Sequence, residues 1–129
     1  MLIRRINQVK QQQMSMTGAE GVRMRLMIGR EDGAATFAMR QFEVEPGGHT
    51  PLHQHNYEHE VLVVEGSGQI VDSGDVVSSR EIGVGDVIFI PANQVHQFRN
   101  ESNKPFMFMC LVPTHFDCGQ GEPLPTPGS

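Results

Sequence analysis

An all-β chain is the fold class this sequence predicts, on three observations. Apolar and polar residues alternate in short runs, as at Val22, Met24, Leu26 and Ile28 with Arg23 and Arg25 between them; this is the period-two pattern of a strand with one buried face. Turn residues punctuate such runs about every eight to twelve positions, the spacing of a sandwich or barrel. The composition agrees, because 14 Gly and 8 Pro with 38% hydrophobic residues suit many short strands better than a helical bundle. A chain of 129 residues makes one domain with a core of its own.

Residues 1–21 are polar and irregular, with a glutamine run at Gln11 to Gln13 and a short candidate strand at Leu2 to Ile6. The barrel is expected over residues 22–113. Its first strand covers Val22 to Ile28 and its second Phe37 to Val44, ending at the turn Glu45-Pro46-Gly47-Gly48. Strands are expected next at Thr50 to His55 and Glu60 to Val64, before the turn Gly66-Ser67-Gly68. Gln69 to Asp72 and Asp75 to Ser78 pair around Ser73-Gly74, and Arg80 to Ile82 leads into Gly83-Val84-Gly85-Asp86. Val87 to Ile90, Val95 to Arg99 and Phe106 to Val112 complete the set, and residues 114–129, ending in GEPLPTPGS, are expected to be a flexible tail.

Charge and cysteine content narrow the function classes. A net charge of −5 argues against nucleic acid, whose phosphates would repel the surface. No apolar run approaches the roughly 20 residues that cross a bilayer. MLIRRINQVKQQQ lacks the apolar stretch and small-residue cleavage site of a secretory signal. Cys110 and Cys118 alone are no disulfide framework. A cytoplasmic protein is expected.

HQHNYEH, residues 53–59, gathers three of the six histidines. Residues two apart in a strand share a face about 6.6 Å from one another, so His53 and His55 can converge on one ion. His59 has the same parity, but a straight strand would leave it about 13 Å beyond His55. Asn56-Tyr57-Glu58 must therefore turn, with EVLVVEG as the returning strand. A lone histidine in a strand is more often a hydrogen-bonded core or surface group. The weight falls on the joint pattern.

That pattern is constrained. Gly47 is followed by five residues to His53, one to His55, three to His59 and six to Gly66; Gly85 is followed by five to Pro91, then Ala92-Asn93, two to His96 and three to Asn100. Both strings resemble the paired motifs of the cupin superfamily, G-x5-H-x-H-x3,4-E-x6-G and G-x5-P-x-G-x2-H-x3-N. His59 stands where the superfamily usually has Glu, and Glu60 takes that slot under the four-residue spacing. Asn93 replaces the second-motif Gly, a mild change because Asn tolerates the left-handed conformation. The wider string from GVRMRLMIGRED to CLVP resembles small single-domain cupins with an all-histidine, manganese-type site, over about residues 20–113.

The resemblance implies a double-stranded β-helix, an antiparallel jelly-roll barrel, and one divalent transition metal held by His53, His55, His59 and His96. Parity selects His59 over Glu60; Glu58, Glu60, Gln54 or Gln97 can orient the rings from behind. His49 reads as a rim residue and His115 as solvated. Four neutral imidazoles leave an octahedral ion two open positions, which suits Mn, Fe, Co or Ni, whereas tetrahedral zinc would be closed. The resemblance favours Mn or Fe, with Ni, Co, Cu and Zn open. It also places Thr50, Phe108 and Cys110 near the metal. Phe98 shares the parity of His96, and Tyr57 and Arg40 can meet substrate. Core packing is the competing reading for Thr50, Phe98, Phe108 and Cys110 and the preferred one for Phe106, whereas for Tyr57 and Arg40 the competing reading is a surface position.

No nucleophile triad, P-loop or dinucleotide fingerprint is present, so any catalysis belongs to the metal. The expected function is a metal-dependent enzyme with oxidative, oxygenase-like chemistry on a small molecule, since no residue offers itself as a strong general base. A non-catalytic ligand sensor, an isomerase or lyase, and a structural zinc site are the alternatives. Strands Val61 to Val64, Val87 to Ile90 and Phe106 to Val112 are apolar on both faces, so a homodimer is expected to cover the outer one, with the N-terminal strand exchanged between protomers.

Overall fold

The computed structural model describes residues 1–73 and 77–116. Among them there is no α-helix, and no helix long and apolar enough to cross a membrane. Nine strands form one curled antiparallel sheet: β1 (Gln12–Gln13), β2 (Glu20–Ile28), β3 (Phe37–His49), β4 (His59–Glu65), β5 (Ser67–Ser73), β6 (Val77–Gly83), β7 (Val87–Ile90), β8 (His96–Arg99) and β9 (Phe106–Pro113). Hydrogen bonds run in the order β6-β5-β8-β3-β9-β4-β7, with β2 also paired to β3 and β1 to β2. This is the jelly-roll expected from the sequence.

The long strand β3 makes the curl. Its first half pairs with β9 from Phe37↔Pro113 to Val44↔Phe106, whereas its end pairs with β8 through His49↔Arg99. Between them lies the bend Pro46-Gly47-Gly48. Gly47 has φ 82°, a left-handed backbone that glycine adopts without strain. A Cβ on Gly48 would sit 2.6 Å from the Glu20 carbonyl oxygen, so glycine is required for β2 to approach. Asn100 locks the bend: its backbone bonds Gly47 and Gly48, and its buried Nδ2 donates to the Val44 and Lys104 carbonyls at 2.8 Å each.

Alternation sorts the side chains. Along β9, Phe106, Phe108, Cys110 and Val112 are buried, with half-buried residues between them. On β4, His59, Val61 and Val63 face in while Glu60, Leu62 and Val64 face out. The inward apolar residues join Val22, Val44, Ile70, Ile82, Ile90 and Phe98 in one core cluster. Leu62, Val64, Val87 and Phe89 stay exposed on the outer face of β4 and β7.

Several expectations change. Thr50 to His55 is not a strand but a link in which only His53 bridges to His96; Pro51 lacks the N–H a ladder needs. Leu2 to Ile6 is not a strand either, and the N-terminal pairing is β1 against β2, at Gln12↔Met24 and Gln13↔Arg23. Ser78 and the piece Arg80 to Ile82 belong to one strand, β6, while Gly74 to Val76, in the expected turn and the piece Asp75 to Ser78, lie outside the described residues. Within the expected tail, Thr114–Phe116 continue from β9 as a 3-10 turn whose Phe116 ring stacks on Tyr57. Residues 117–129, Cys118 among them, lie outside the described residues.

Replacing Asn100 with Ala should lower unfolding free energy by about 1–3 kcal/mol, since the buried Val44 carbonyl loses its donor. Urea titration measures this; a change below about 0.5 kcal/mol, the level of an ordinary surface substitution, would remove Asn100 as the lock.

Candidate metal centre

The histidines meet because three chain segments end at one place. His53 and His55 come from the link after β3, His59 opens β4, and His96 opens β8. Backbone bonds pin the approach: His53 N–H to the His96 carbonyl at 3.1 Å and His96 N–H to the His53 carbonyl at 2.9 Å. The Asn93 N–H donates to the His55 carbonyl, and Asn93 has φ 68°. Asn thus takes up the left-handed turn at the position where Gly was expected.

Ligand atoms of His53, His55 and His96 all lie within 4.8 Å of one another. The His59 ring packs against this trio, with centroids 4.9 Å from His55 and 5.2 Å from His96. His55 Nε2 lies 3.1 Å from His53 Nε2. Two ligands at right angles on an ion with bonds of about 2.1 Å have donor atoms about 3.0 Å apart, so this pair has the separation of neighbouring ligands.

Hydrogen bonds on the far side of the rings agree. His96 Nδ1 lies 2.8 Å from the Gln94 carbonyl, which can only accept, so Nδ1 carries the proton and Nε2 keeps its lone pair. His59 Nδ1 lies 3.3 Å from Cys110 Sγ. His59 Nε2 is buried without a hydrogen-bond partner, a costly state for a polar atom that an ion would relieve. These residues fit a divalent metal. The expected orienting groups differ, however: Glu58 and Glu60 are exposed, and Gln97 donates to the Thr50 carbonyl at 2.9 Å. A backbone carbonyl and a sulfur sit behind the rings instead.

Burial holds the rings neutral. It lowers His53 to a pKa of about 4, helped by the nearby His96 and Arg40, and His55 to about 3, helped by His53, His96 and Arg40. His59 falls to about 2 by burial first and the Arg40 charge second. His96 is lowered by burial against the opposing Gln94 carbonyl. Neutral imidazole is the form that ligates metal.

Above the rings opens a cavity of about 580 Å³. All six residues expected at a pocket line it: Arg40, Thr50, Tyr57, Phe98, Phe108 and Cys110. Thr50 Oγ1 is engaged there, accepting from the Phe98 N–H at 2.9 Å. The walls are aromatic, with Phe98 and Phe108 stacked at 4.3 Å and Tyr57 on Phe116 at 3.8 Å. Phe106 is fully buried core, and His49 does not line the cavity. Met14, Met16, Phe42 and Phe116 do line it, although no motif in the sequence marks them. Phe42 shares the strand parity of Arg40, a usable signal; the two methionines and Phe116 sit in stretches without periodicity. No Asp or Glu lines the cavity among the described residues.

The chain matches the Cupin domain family over residues 40–112. It is 36% identical over 91 residues to a 1-methylthio-D-xylulose 5-phosphate methylsulfurylase of Rhodospirillum rubrum, covering 70% of this chain and 54% of that one. The chain therefore spans about half the length of that curated relative. Among solved structures, the polyketide cyclase RemF from Streptomyces resistomycificus superposes with a TM-score of 0.84 at 32% identity, covering 98% of this chain and 85% of the cyclase. A cupin-2 domain protein from Rhodospirillum rubrum gives a TM-score of 0.73 at 27% identity, covering 98% and 81%.

The lowered histidine pKa values predict how the metal-free protein responds to acid. Well above pH 6.5 folded and unfolded chains both hold neutral rings, and protonation contributes nothing to the stability difference. Below it the unfolded chain takes up protons that the folded site refuses, so stability falls as pH drops from about 6.5 toward the folded values, by up to about 1.4 kcal/mol per pH unit for a ring as buried as His59. Thermal melts in chelator between pH 7 and 5 should show a falling Tm, and a flat Tm would contradict neutral burial.

Proposed function

Because the chain belongs to the Cupin domain family, we propose that it is a metal-dependent enzyme acting on an apolar, ring-bearing small molecule that presents an oxygen to the ion. The observation that carries this is the cluster of His53, His55 and His96, with donor atoms within 4.8 Å of one another and the His59 ring packed against them, beneath an aromatic-walled cavity. His53, His55, His59 and His96 would hold one divalent transition metal, with Mn or Fe suited to four neutral ligands and two open positions. Bound there, such an ion supplies Lewis acidity toward a carbonyl or enol oxygen, or a redox centre. The chain's own residues do the rest. Phe98, Phe108 and Tyr57 exclude water and seat a planar substrate. Arg40, 4% exposed and lining the cavity, places a fixed positive charge where oxygen anions are stabilised.

The resemblance to a polyketide cyclase over 98% of this chain favours Lewis-acid ring closure of a poly-carbonyl compound. Oxidative chemistry is the second reading, favoured by the absence of Asp and Glu from the described cavity wall, since a carboxylate base would serve proton abstraction. A homodimer belongs to the same proposal: a second copy over Leu62, Val64, Val87 and Phe89 would cover the exposed outer face of β4 and β7. Light scattering giving a stable monomer removes it.

His96→Ala and His59→Ala should each weaken metal binding about 10-fold or more, because one ligand of the shell is lost. Metal analysis after dialysis checks this, and unchanged content in both variants ends the metal reading. Mn- and Fe-loaded protein should turn over aromatic diketones or poly-carbonyl compounds without oxygen if Lewis-acid chemistry is correct. Oxygen uptake coupled to turnover favours the oxidative reading, and saturable binding with no turnover favours a sensor.

A further inference from the structure

Cys110 is buried to 1% exposure, and the metal chemistry above does not use it. It sits mid-way along β9, directly opposite Arg40 of β3 and Val61 of β4. His59, two residues before Val61, lies on the same face of β4. Two side chains converge on its sulfur: Arg40 Nη2 donates at 3.4 Å, and His59 Nδ1 lies at 3.3 Å. A guanidinium only donates, so the sulfur already acts as an acceptor toward Arg40.

We propose that Cys110 is a positioning residue for the metal, its sulfur accepting the His59 Nδ1 proton and thereby turning the His59 Nε2 lone pair into the site. This rests on the metal reading for its consequence but not for its geometry. A neutral imidazole carries one ring proton. Were the thiol to donate to Nδ1 instead, Nε2 would carry that proton, and a buried donor with no acceptor would face the cavity. With the proton on Nδ1, the same atom is a free lone pair aimed where the other rings present theirs. His96 is held identically, with the Gln94 carbonyl as its acceptor. The side chain behind His59 thus does what a backbone carbonyl does behind His96. A cysteine that merely filled space would need no polar partner, and any apolar residue of its size would replace it.

The test uses the full chain with zinc as the only added ligand. In metal-free wild-type protein at pH 7.5, long-range ¹H–¹⁵N correlation should show His59 protonated at Nδ1. Cys110→Ala should lose that single tautomer and weaken zinc binding about 10- to 100-fold in chelator competition. Cys110→Ser, whose hydroxyl also accepts, should restore both. A simple packing role would respond to size and leave the tautomer unmoved. An Nε2 proton on His59 in the wild type overturns the proposal even if the alanine variant fails to fold. Equal zinc affinity in wild type and Cys110→Ala also overturns it. Should the wild type bind no zinc while Cys110→Ala still disturbs the His59 tautomer, the metal reading fails and the positioning role stands.

Discussion

Keeping several imidazoles neutral, buried and aimed at one point is the constraint on which the rest of this structure depends. Each ring removed from water loses hydration, and burial lowers every one of the four below its ordinary pKa. An apolar core does not tolerate such groups unless something takes their lone pairs. The fold supplies half of the solution from behind: a carbonyl for His96 and a sulfur for His59. A cation would supply the other half from in front. The Arg40 charge so near makes protonation of His53, His55 and His59 still less favourable, which keeps these rings in the neutral form that a metal ion needs.

The barrel is the means of meeting that constraint. Only a strand that changes partners, as β3 does at Pro46-Gly47-Gly48, brings its exit onto the end of β8, from which the following link runs back to set His53 opposite His96. Gly47 and Asn100, which make and lock the bend, bracket the histidines in sequence for this reason. The same curl leaves a cavity above the rings, into which β3 and β9 turn Arg40 and Cys110 and the 3-10 turn after β9 turns Phe116. Strands supply His59 and His96 and the wall residues Arg40, Phe42, Phe98, Phe108 and Cys110, while less regular segments supply His53, His55, Met14, Met16 and Phe116.

The frame was legible in the sequence because period-two alternation bounded by glycine turns marks half-buried strands and little else. Val22 to Ile28, Glu60 to Val64 and Phe106 to Val112 fall within β2, β4 and β9. The histidine spacing carried the site, since His53 and His55 demand a turn before His59 can reach them. What the sequence could not show was set by contacts distant along the chain. His53-Gln54-His55 has a strand's alternation, yet Pro51 and the backbone bonds to His96 make it a link. Phe116 sits beside a proline- and glycine-rich stretch, and its place is set by stacking on Tyr57 and packing against the core, contacts that no local pattern announces. The partner of Cys110 was hidden similarly, because His59 lies 51 residues away.

X-ray diffraction from crystals of the metal-loaded protein, collected at the absorption edge of the bound ion, tests the central claim most directly. The account predicts one anomalous peak per chain, bonded at about 2.1 Å to nitrogens of His53, His55, His59 and His96, with His59 Nδ1 still facing the Cys110 sulfur. An empty centre, or rings turned away from one another toward solvent, would contradict it.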